Sequence, residues 1–235
     1  MKICANNKIG SCTDCIKRKM SLLEGLSDEE LETLNQNRVV VNFKKGETIY
    51  KEYSKPNGLY CLNEGKVKLV KYSDKGNEVI IGLKRPVDFL DVENLLAKQN
   101  YNHSAIAFEN TSICIIREEN FFNVLSKNPI FAMNILKYLS QSILESNEWY
   151  LNITQKHISS RIAQTLLKLQ DFYGLSSDNF ISVALKRSDI AALSCITTAN
   201  VIRTLRDFEK EKIIFCDKKR IMILNPKKLR EIAEL

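Results

Sequence analysis

Seven short runs rich in β-branched and aromatic residues lie between residues 39 and 118, and they constrain the fold more than any other feature of the chain. Turn-forming sequences such as KKG, KPNG, NEG and DKGN separate them. Short, regularly spaced strands with turns between them are typical of an antiparallel sandwich or roll. The runs are VVVNF, ETIYKEY, GLYCL, GKVKLVKY, NEVIIGL, SAIAF and TSICIIR.

Helical patterns flank this β region. On its N-terminal side, Ser27 and Glu30 predict a capping box at the start of a short helix over 26–37. On its C-terminal side, a long helix over 129–153 carries a seam of residues at alternating steps of four and three, which is a heptad pattern. The seam predicts self-association, and packing of the helix on its own β region is the alternative. Its members are Ala132, Leu136, Leu139, Ile143, Ser146, Tyr150 and Ile153.

The C-terminal segment indicates a helix, a tight turn, a second helix and a β-hairpin. After a helix over 158–173, a short helix begins near Ser188, and Thr197 is suited to cap the helix that follows. Two β runs then enclose the basic turn DKKR. This is the order of a winged helix-turn-helix. In the second helix, the steps of four and three that join Val201, Leu205 and Phe208 predict the face that is buried.

The net charge of +7 is concentrated in the same part of the chain. Residues 151–235 contain 15 Lys and Arg against 9 Asp and Glu, whereas residues 1–150 contain 20 against 19. A basic domain is expected to meet phosphates, and a solvated basic surface is the alternative.

The outward face of the second helix predicts contact with double-stranded DNA. In a helix-turn-helix this helix enters the major groove, where an arginine donates two hydrogen bonds to guanine. Its slim outer face and the neighbouring donors for phosphate oxygens suit that role, whereas a plain helical hairpin with a solvated side is the alternative. The predicted DNA-contacting residues are Arg187, Ser188, Thr197, Thr198, Ala199, Asn200, Arg203, Arg206, Lys218, Lys219 and Arg220.

The sequence lacks the motifs that are typical of membrane proteins, exported proteins and enzymes. No run approaches the roughly 18–20 apolar residues of a membrane helix, and the N-terminal sequence has no apolar signal-peptide core, so a cytoplasmic protein with no membrane partner is expected. The chain has two histidines, His103 and His157, in unrelated segments, and no HExxH motif or phosphate-cradling glycine loop. An enzyme is therefore not expected.

Nearly the whole chain resembles the cyclic-AMP-receptor/fumarate-nitrate-regulator family of transcription regulators. The resemblance is carried, in the family's order and spacing, by FKKGETIYKEY, GLYCLNEGKVKLVKYSDKGNEVII, the long helix and RSDIAALSCITTANVIRTLRDFEKEKII. It implies an α+β fold with an antiparallel β-roll of the cyclic-nucleotide-binding type over 26–128, a dimerisation helix over 129–155 and a winged helix-turn-helix over 156–235. A cysteine-containing segment, 1–25, precedes them.

The same resemblance implies how such a protein acts. The expected assembly is a homodimer that binds a roughly palindromic DNA site and, as an activator, contacts RNA polymerase. The two reading helices of such a dimer lie about one DNA turn, roughly 34 Å, apart. The expected dimer contacts are Leu136, Leu139, Ile143, Tyr150 and Ile153.

The residues that would bind a cyclic nucleotide depart from the family pattern. Asp91 and Val92 stand where the family's nucleotide binders have Gly and Glu, and His103 stands where they have Arg. A cyclic phosphate would lose its bidentate cation and meet a carboxylate, so cyclic AMP is not the expected ligand. Haem, for which His103 is a conceivable axial ligand, an organic ligand or no ligand in the β-roll are the alternatives. Ala199 replaces a base-contacting glutamate, so the preferred DNA sequence is not inherited from the family.

The seven cysteines admit more than one interpretation. An odd number in a chain without an export signal argues against a disulfide framework. The resemblance to oxygen sensors of the family places Cys12, Cys15 and Cys114 on three iron–sulfur ligand positions, with Ser21 on the fourth and Cys4 as a substitute ligand. Zinc, or thiols that bind no metal, are the alternatives. Cys61, Cys195 and Cys216 are expected to be small core residues.

Overall fold

The structure is a computed structural model that describes residues 22–74 and 76–234. Contacts divide the chain into two units. Of the described residues, 22–71 and 81–144 form unit 1, and 72–74, 76–80 and 145–234 form unit 2.

Unit 1 begins with helix α1 (Asp28–Asn35), which has the predicted capping box. Ser27 Oγ accepts a hydrogen bond from the Glu30 amide at 3.3 Å, and Glu30 Oε2 accepts one from the Ser27 amide at 2.8 Å. The bond from the Ser27 amide, together with one from Asn128 Nδ2 to Glu30 Oε1 at 2.8 Å, stabilises the charged carboxylate and lowers the pKa of Glu30. Leu31 and Leu34 lie on the buried side of α1.

The β region forms two four-stranded sheets, with strand orders β1-β8-β3-β6 and β2-β7-β4-β5. Apolar side chains from both sheets, among them Val41, Leu62, Leu69, Ala105 and Ile113, form one core between them. The strands are β1 (Val39–Phe43), β2 (Thr48–Tyr50), β3 (Leu59–Glu64), β4 (Val67–Tyr72), β5 (Glu78–Lys84), β6 (Phe89–Leu90), β7 (Ser104–Ala107) and β8 (Thr111–Ile116).

A second core joins the strands to helices. Leu59, Phe89 and Ile116 pack with α1 and with helices α2 (Val92–Ala97) and α3 (Glu118–Lys127), neither of which the sequence predicted. Helix α4 (Pro129–Gln155) begins at the predicted residue. Its Phe131 and Ile135 are buried in this core, at 0% and 2% exposure.

Unit 2 contains a helical group and a small hairpin. Helix α5 (Ile158–Tyr173) contacts α6 (Arg187–Ser194), α7 (Thr198–Lys210) and α8 (Pro226–Ala233). Strands β9 (Ile214–Asp217) and β10 (Arg220–Ile223) pair antiparallel around the predicted basic turn. Helix α8 was not predicted, and the rest of the winged helix-turn-helix order is confirmed. Among the described residues, no helix has both the length and the hydropathy needed to cross a membrane.

Candidate functional site

Helix α7 has an apolar side facing the interior of unit 2. Val201, Leu205 and Phe208 are 0%, 1% and 4% exposed, as their spacing predicted. Thr197 Oγ accepts a hydrogen bond from the Asn200 amide at 3.3 Å, which confirms the predicted cap. Burial of one side and capping of the first turn therefore fix which residues of α7 face outward.

Arg161 of α5 holds the turn between α6 and α7. Its Nε donates to the main-chain oxygen of Ser194 at 2.9 Å, and its Nη2 donates to that of Cys195 at 2.6 Å. These carbonyl groups lie at the C-terminal end of α6, where they lack helical donors and where a positive charge is favoured. Cys195 adopts left-handed backbone angles, with φ of 52°. Arg161 thus stabilises the bend from which α7 departs.

The outward face of α7 is small and positively charged. Thr198, Ala199, Arg203 and Arg206 are all exposed. Arg203 Nη2 donates to Asn200 Oδ1 at 3.0 Å, which holds the guanidinium near the first turn of the helix. Within residues 22–74 and 76–234, no carboxylate forms an ion pair with Arg203 or Arg206. Both charges are therefore available to an external anion.

The predicted phosphate-contacting residues differ in accessibility. Ser188 and Thr197 are exposed, Asn200 is half-buried, and Arg187 is also half-buried. The Nη1 atom of Arg187 is buried without a hydrogen-bond partner in the described part of the chain. Ser188 and Thr197 are hence better placed than Arg187 to meet a phosphate directly.

The hairpin turn supplies positive charge through its lysines. Lys218 and Lys219 are exposed. Arg220 Nη2 bonds to Asp217 Oδ2 at 2.7 Å, its Nη1 bonds to Asp178, and its guanidinium lies 4.1 Å from the centre of the Phe180 ring. Two carboxylates neutralise Arg220, so Lys218 and Lys219 carry the net positive charge of the turn.

A buried polar network lies at α2, β2 and β7 of unit 1. Tyr50 OH is 2.8 Å from His103 Nε2, and His103 Nδ1 is 2.7 Å from Asn102 Oδ1. Asn94 Nδ2 donates to Asn102 Oδ1 at 3.2 Å and to Asp91 Oδ1 at 2.7 Å. Because the Asn102 oxygen can only accept, His103 donates from Nδ1 and accepts from Tyr50 at Nε2. Both ring nitrogens of His103 are thus engaged within the protein.

Aromatic rings fill the space beside this network. Tyr50 and Tyr101 are stacked, with ring centres 3.8 Å apart and planes at 16°. Tyr60 meets Tyr50 edge-on, at 5.8 Å. All three tyrosines are buried.

Burial shifts the pKa values of Asp91 and His103 in opposite directions. It raises the pKa of Asp91 to about 6, against the hydrogen bonds from Asn94. It lowers the pKa of His103 to about 4, and the positive charge of Lys84 adds to this shift. His103 is therefore neutral at pH 7.

A hydrogen bond joins β5 to the long helix. Lys84 Nζ donates to Tyr138 OH of α4 at 2.5 Å, and the ammonium lies 5.2 Å from the Tyr138 ring centre. Asp88 and Glu93 act electrostatically on the same lysine. The half-buried Lys84 therefore links β5 to α4 while two carboxylates near α2 attract its charge.

The predicted dimer contacts on α4 are not equally exposed. Leu136, Ile143 and Tyr150 are 56%, 62% and 62% exposed. Leu139 packs in part against the helical core of unit 1, and Ile153 is half-buried. Three large side chains of the seam therefore lack cover within the described chain.

Among the predicted metal ligands, Cys4, Cys12 and Cys15 lie outside the described residues, as does Ser21. Cys114 is 7% exposed, and Arg38 Nη1 donates to its Sγ at 3.0 Å. No group of three His, Cys, Asp or Glu side chains suited to a metal occurs in the part of the chain that the structure describes. Cys61, Cys195 and Cys216, expected in the core, are half-buried.

Two features of these sites were missed from the sequence. Arg161 lies 33 residues from the turn that it holds, and Tyr50 lies 53 residues from His103. Residues so far apart in the chain are not related by the helical or strand periodicity from which contacts can be predicted. Arg161 lies on the side of α5 away from the buried Ile162 and Leu166, so its position in the helix does not mark it as a contact of the turn.

Two family models match separate parts of the chain. The cyclic nucleotide-binding domain matches residues 40–128, which span nearly all of both sheets. The Crp-like helix-turn-helix domain matches residues 160–232, which include α6, α7 and the hairpin.

Similar proteins cover most of the chain. The transcriptional activator protein Anr of Pseudomonas protegens is 25% identical over 239 residues, 99% of this chain and 96% of that protein. The global nitrogen regulator of Synechococcus elongatus is 29% identical over 191 residues, 80% of this chain and 86% of that one. The solved structure of FixK2 from Bradyrhizobium japonicum matches with a TM-score of 0.75 at 19% identity, covering 83% of this chain and 96% of FixK2. This likeness confirms the predicted α+β fold with a β-roll and a winged helix-turn-helix.

Proposed function

The chain belongs to the Crp/Fnr family of transcription regulators, and from this membership we propose that it binds a palindromic DNA site as a homodimer through α7. It is a regulator with a DNA-binding helix-turn-helix and not an enzyme. The observation that carries the proposal is the outward face of α7, where Arg203 and Arg206 are exposed without a carboxylate partner among the described residues. We further infer a cytoplasmic protein that, as an activator, contacts RNA polymerase.

Different residues are proposed to contact the DNA bases and the DNA phosphates. Arg203 is proposed to meet a base edge, with Thr198 and Ala199 beside it, because a slim face admits close approach to the groove. Lys218 and Lys219 are proposed to meet phosphates, which fix register without reading sequence. Ser188, Thr197 and Asn200 offer further phosphate donors, while Arg187, Arg206 and Arg220 complete the proposed set.

The test uses a palindromic site selected from random double-stranded DNA by the full-length protein. We expect Arg203→Ala to weaken binding by about 5- to 150-fold and to relax the preference at one base pair. Lys219→Ala should weaken all sequences alike and reduce the slope of log affinity against log salt by about 1. Lys168→Ala, on the exposed side of α5, is the control. Failure to select any site, or full affinity in Arg203→Ala, would contradict the proposal.

We propose that cyclic AMP is not the signal. Asp91 and the neutral His103 stand at the expected phosphate position, so they offer no paired cation to a cyclic phosphate. The stacked Tyr50 and Tyr101 occupy neighbouring space. Both nitrogens of His103 are hydrogen-bonded, which also argues against haem ligation by this residue. Calorimetric titration with cyclic AMP should give no binding heat, and saturable binding would refute this part of the proposal.

A second candidate concerns an oxygen or nitric oxide signal. Cys114 fits one ligand position of an iron–sulfur cluster, because its sulfur lies beside a guanidinium that favours anionic sulfur. Cys4, Cys12 and Cys15, proposed as the other ligands, lie outside the described residues. A bound cluster would supply a centre sensitive to oxygen and nitric oxide. Protein purified without air should then contain iron and sulfide in stoichiometric amounts, and their absence would remove this candidate.

A further inference from the structure

Cys61 of β3 and Cys114 of β8 lie directly opposite each other on neighbouring antiparallel strands. Opposed residues in such a pair have side chains on the same face and Cα atoms about 4.5 or 5.5 Å apart. Disulfides join residues whose Cα atoms are roughly 4.4–6.8 Å apart. The strand register therefore brings the two cysteines into the range of Cα separations that a disulfide spans.

The neighbouring cation favours Cys114 as the thiol that reacts first, even though Cys114 is 7% exposed and Cys61 is half-buried. The Sγ of Cys114 accepts a hydrogen bond from Arg38 Nη1 at 3.0 Å, and a neighbouring cation is typical of reactive cysteines. Cys61 is half-buried and packs against the core that includes Leu59 and Phe89. By contrast, Cys216 in β9 is opposed by Ile221 rather than by another cysteine.

We propose that Cys61 and Cys114 form a redox pair that hydrogen peroxide converts to a disulfide. The Cys114 sulfur attacks one peroxide oxygen, the O–O bond breaks, and the departing hydroxide leaves as water with the thiol proton, so that a sulfenic acid remains. The Cys61 sulfur then attacks the Cys114 sulfur, the S–O bond breaks, and a second water leaves with the Cys61 proton. Two thiols lose two electrons, and one peroxide is reduced to two waters.

Formation of this bond changes the contact that Arg38 makes. Oxidation changes the sulfur that accepts this hydrogen bond from Arg38, the residue immediately before β1, from a thiol to a disulfide sulfur. Disulfides in cytosolic proteins are usually transient and redox-sensing. Cys114 is also the proposed β-roll ligand of the iron–sulfur cluster, so the disulfide forms only in protein without a cluster, and no cysteine of the N-terminal segment takes part in it.

The test uses the full-length protein with Cys4, Cys12 and Cys15 replaced by serine, which leaves Cys61, Cys114, Cys195 and Cys216. The reduced protein is exposed to hydrogen peroxide, alkylated and digested for mass spectrometry. We expect a linked peptide pair joining Cys61 to Cys114, two hydrogens lighter than the reduced peptides, and a loss of two titratable thiols that dithiothreitol restores.

Two single substitutions in that background serve as comparisons. Cys61→Ser should abolish the linked peptide and leave Cys114 as a sulfenic acid or a higher oxide, whereas Cys216→Ser should leave the link unchanged. Circular dichroism identifies any variant that fails to fold. The presence or absence of the Cys61–Cys114 link in the protein with Cys4, Cys12 and Cys15 replaced by serine tests the proposal even without these two variants. If Cys61 is fully alkylated while Cys114 becomes sulfinic, or if Cys114 links to another cysteine, the proposal is overturned.

Discussion

Arg161 donates hydrogen bonds to the main-chain oxygen of Ser194, the last residue of the helix that precedes α7. Because the guanidinium is charged and the acceptor lies at a helix C-terminus, we expect Arg161→Ala to lower the free energy of unfolding by about 2–3 kcal/mol. Arg161→Lys should recover only part of this, since an ammonium cannot form the same fork. Urea unfolding monitored by circular dichroism measures both. An effect no larger than that of Lys168→Ala, on the same helix, would contradict this role.

Asp91 and His103 are expected to oppose each other in the pH dependence of stability. The pKa of folded Asp91, about 6, lies above its unfolded value of about 4, so its contribution is lost as the pH rises through 6. The pKa of folded His103, about 4, lies below its unfolded value of about 6.5, so its contribution is lost as the pH falls from 6.5 toward 4. The two effects largely cancel near pH 5.

Replacing either residue should reveal the pH dependence of stability that the other one causes. Between pH 7 and pH 5, relative to the parent protein, His103→Gln should become more stable and Asp91→Asn less stable, each by about 1–2 kcal/mol. Both substitutions keep a polar side chain in the network, and Asn tolerates the left-handed angles of Asp91, with φ of 57°. Urea unfolding at pH 5, 6 and 7 gives the slopes. Equal slopes in the two variants would refute the assignment.

Val87 is strained by its backbone conformation. It adopts φ of 83° in the connection between β5 and β6, where its amide donates to Leu62 O at 2.9 Å. A β-branched side chain is poorly accommodated at positive φ. We expect Val87→Gly to raise the free energy of unfolding by about 1 kcal/mol. Val39→Gly, in the extended strand β1, should instead destabilise the protein, and a loss of stability in both variants would show that Val87 carries no net strain.

The exposed seam of α4 predicts a solution dimer. Placing a charge at Ile143, which is 62% exposed in the single chain, should weaken association at least a hundredfold, since about 3 kcal/mol of apolar burial is lost over two copies. Analytical ultracentrifugation of Ile143→Glu measures the change. Lys137→Glu, exposed on α4 but off the seam, controls for charge. A parent protein that sediments as a monomer at micromolar concentration would refute the seam as an interface.

Features governed by neighbouring residues were predictable from the sequence. The capping box at Ser27, the Thr197 cap and the buried side of α7 each depend on residues three or four positions apart, and all three are confirmed. The strand runs were also recognisable, because turn-forming residues separate them. The short β6 and α2 were missed, since FLDVENLL is too brief to show either period.

Features governed by register were not predictable. The opposition of Cys61 and Cys114 depends on how β3 aligns with β8, and a shift of one residue would remove it. The contact between Tyr50 and His103 depends on the pairing of β2 with β7, which includes an irregularity between Thr48 and Tyr50. One of the two ion pairs of Arg220 likewise joins it to a distant residue, Asp178, 42 residues away.

The stacked phenol rings of Tyr50 and Tyr101 have a consequence for protein engineering. To build a biosensor on this scaffold, an aromatic side chain must first be removed, because buried tyrosine rings already fill the interior. Trimming Tyr101 to alanine vacates a space shaped like para-cresol, walled on one side by the face of Tyr50. A small phenol added from solution can then bind in the vacated space in place of the missing side chain. Such chemical rescue would give the protein a designed ligand.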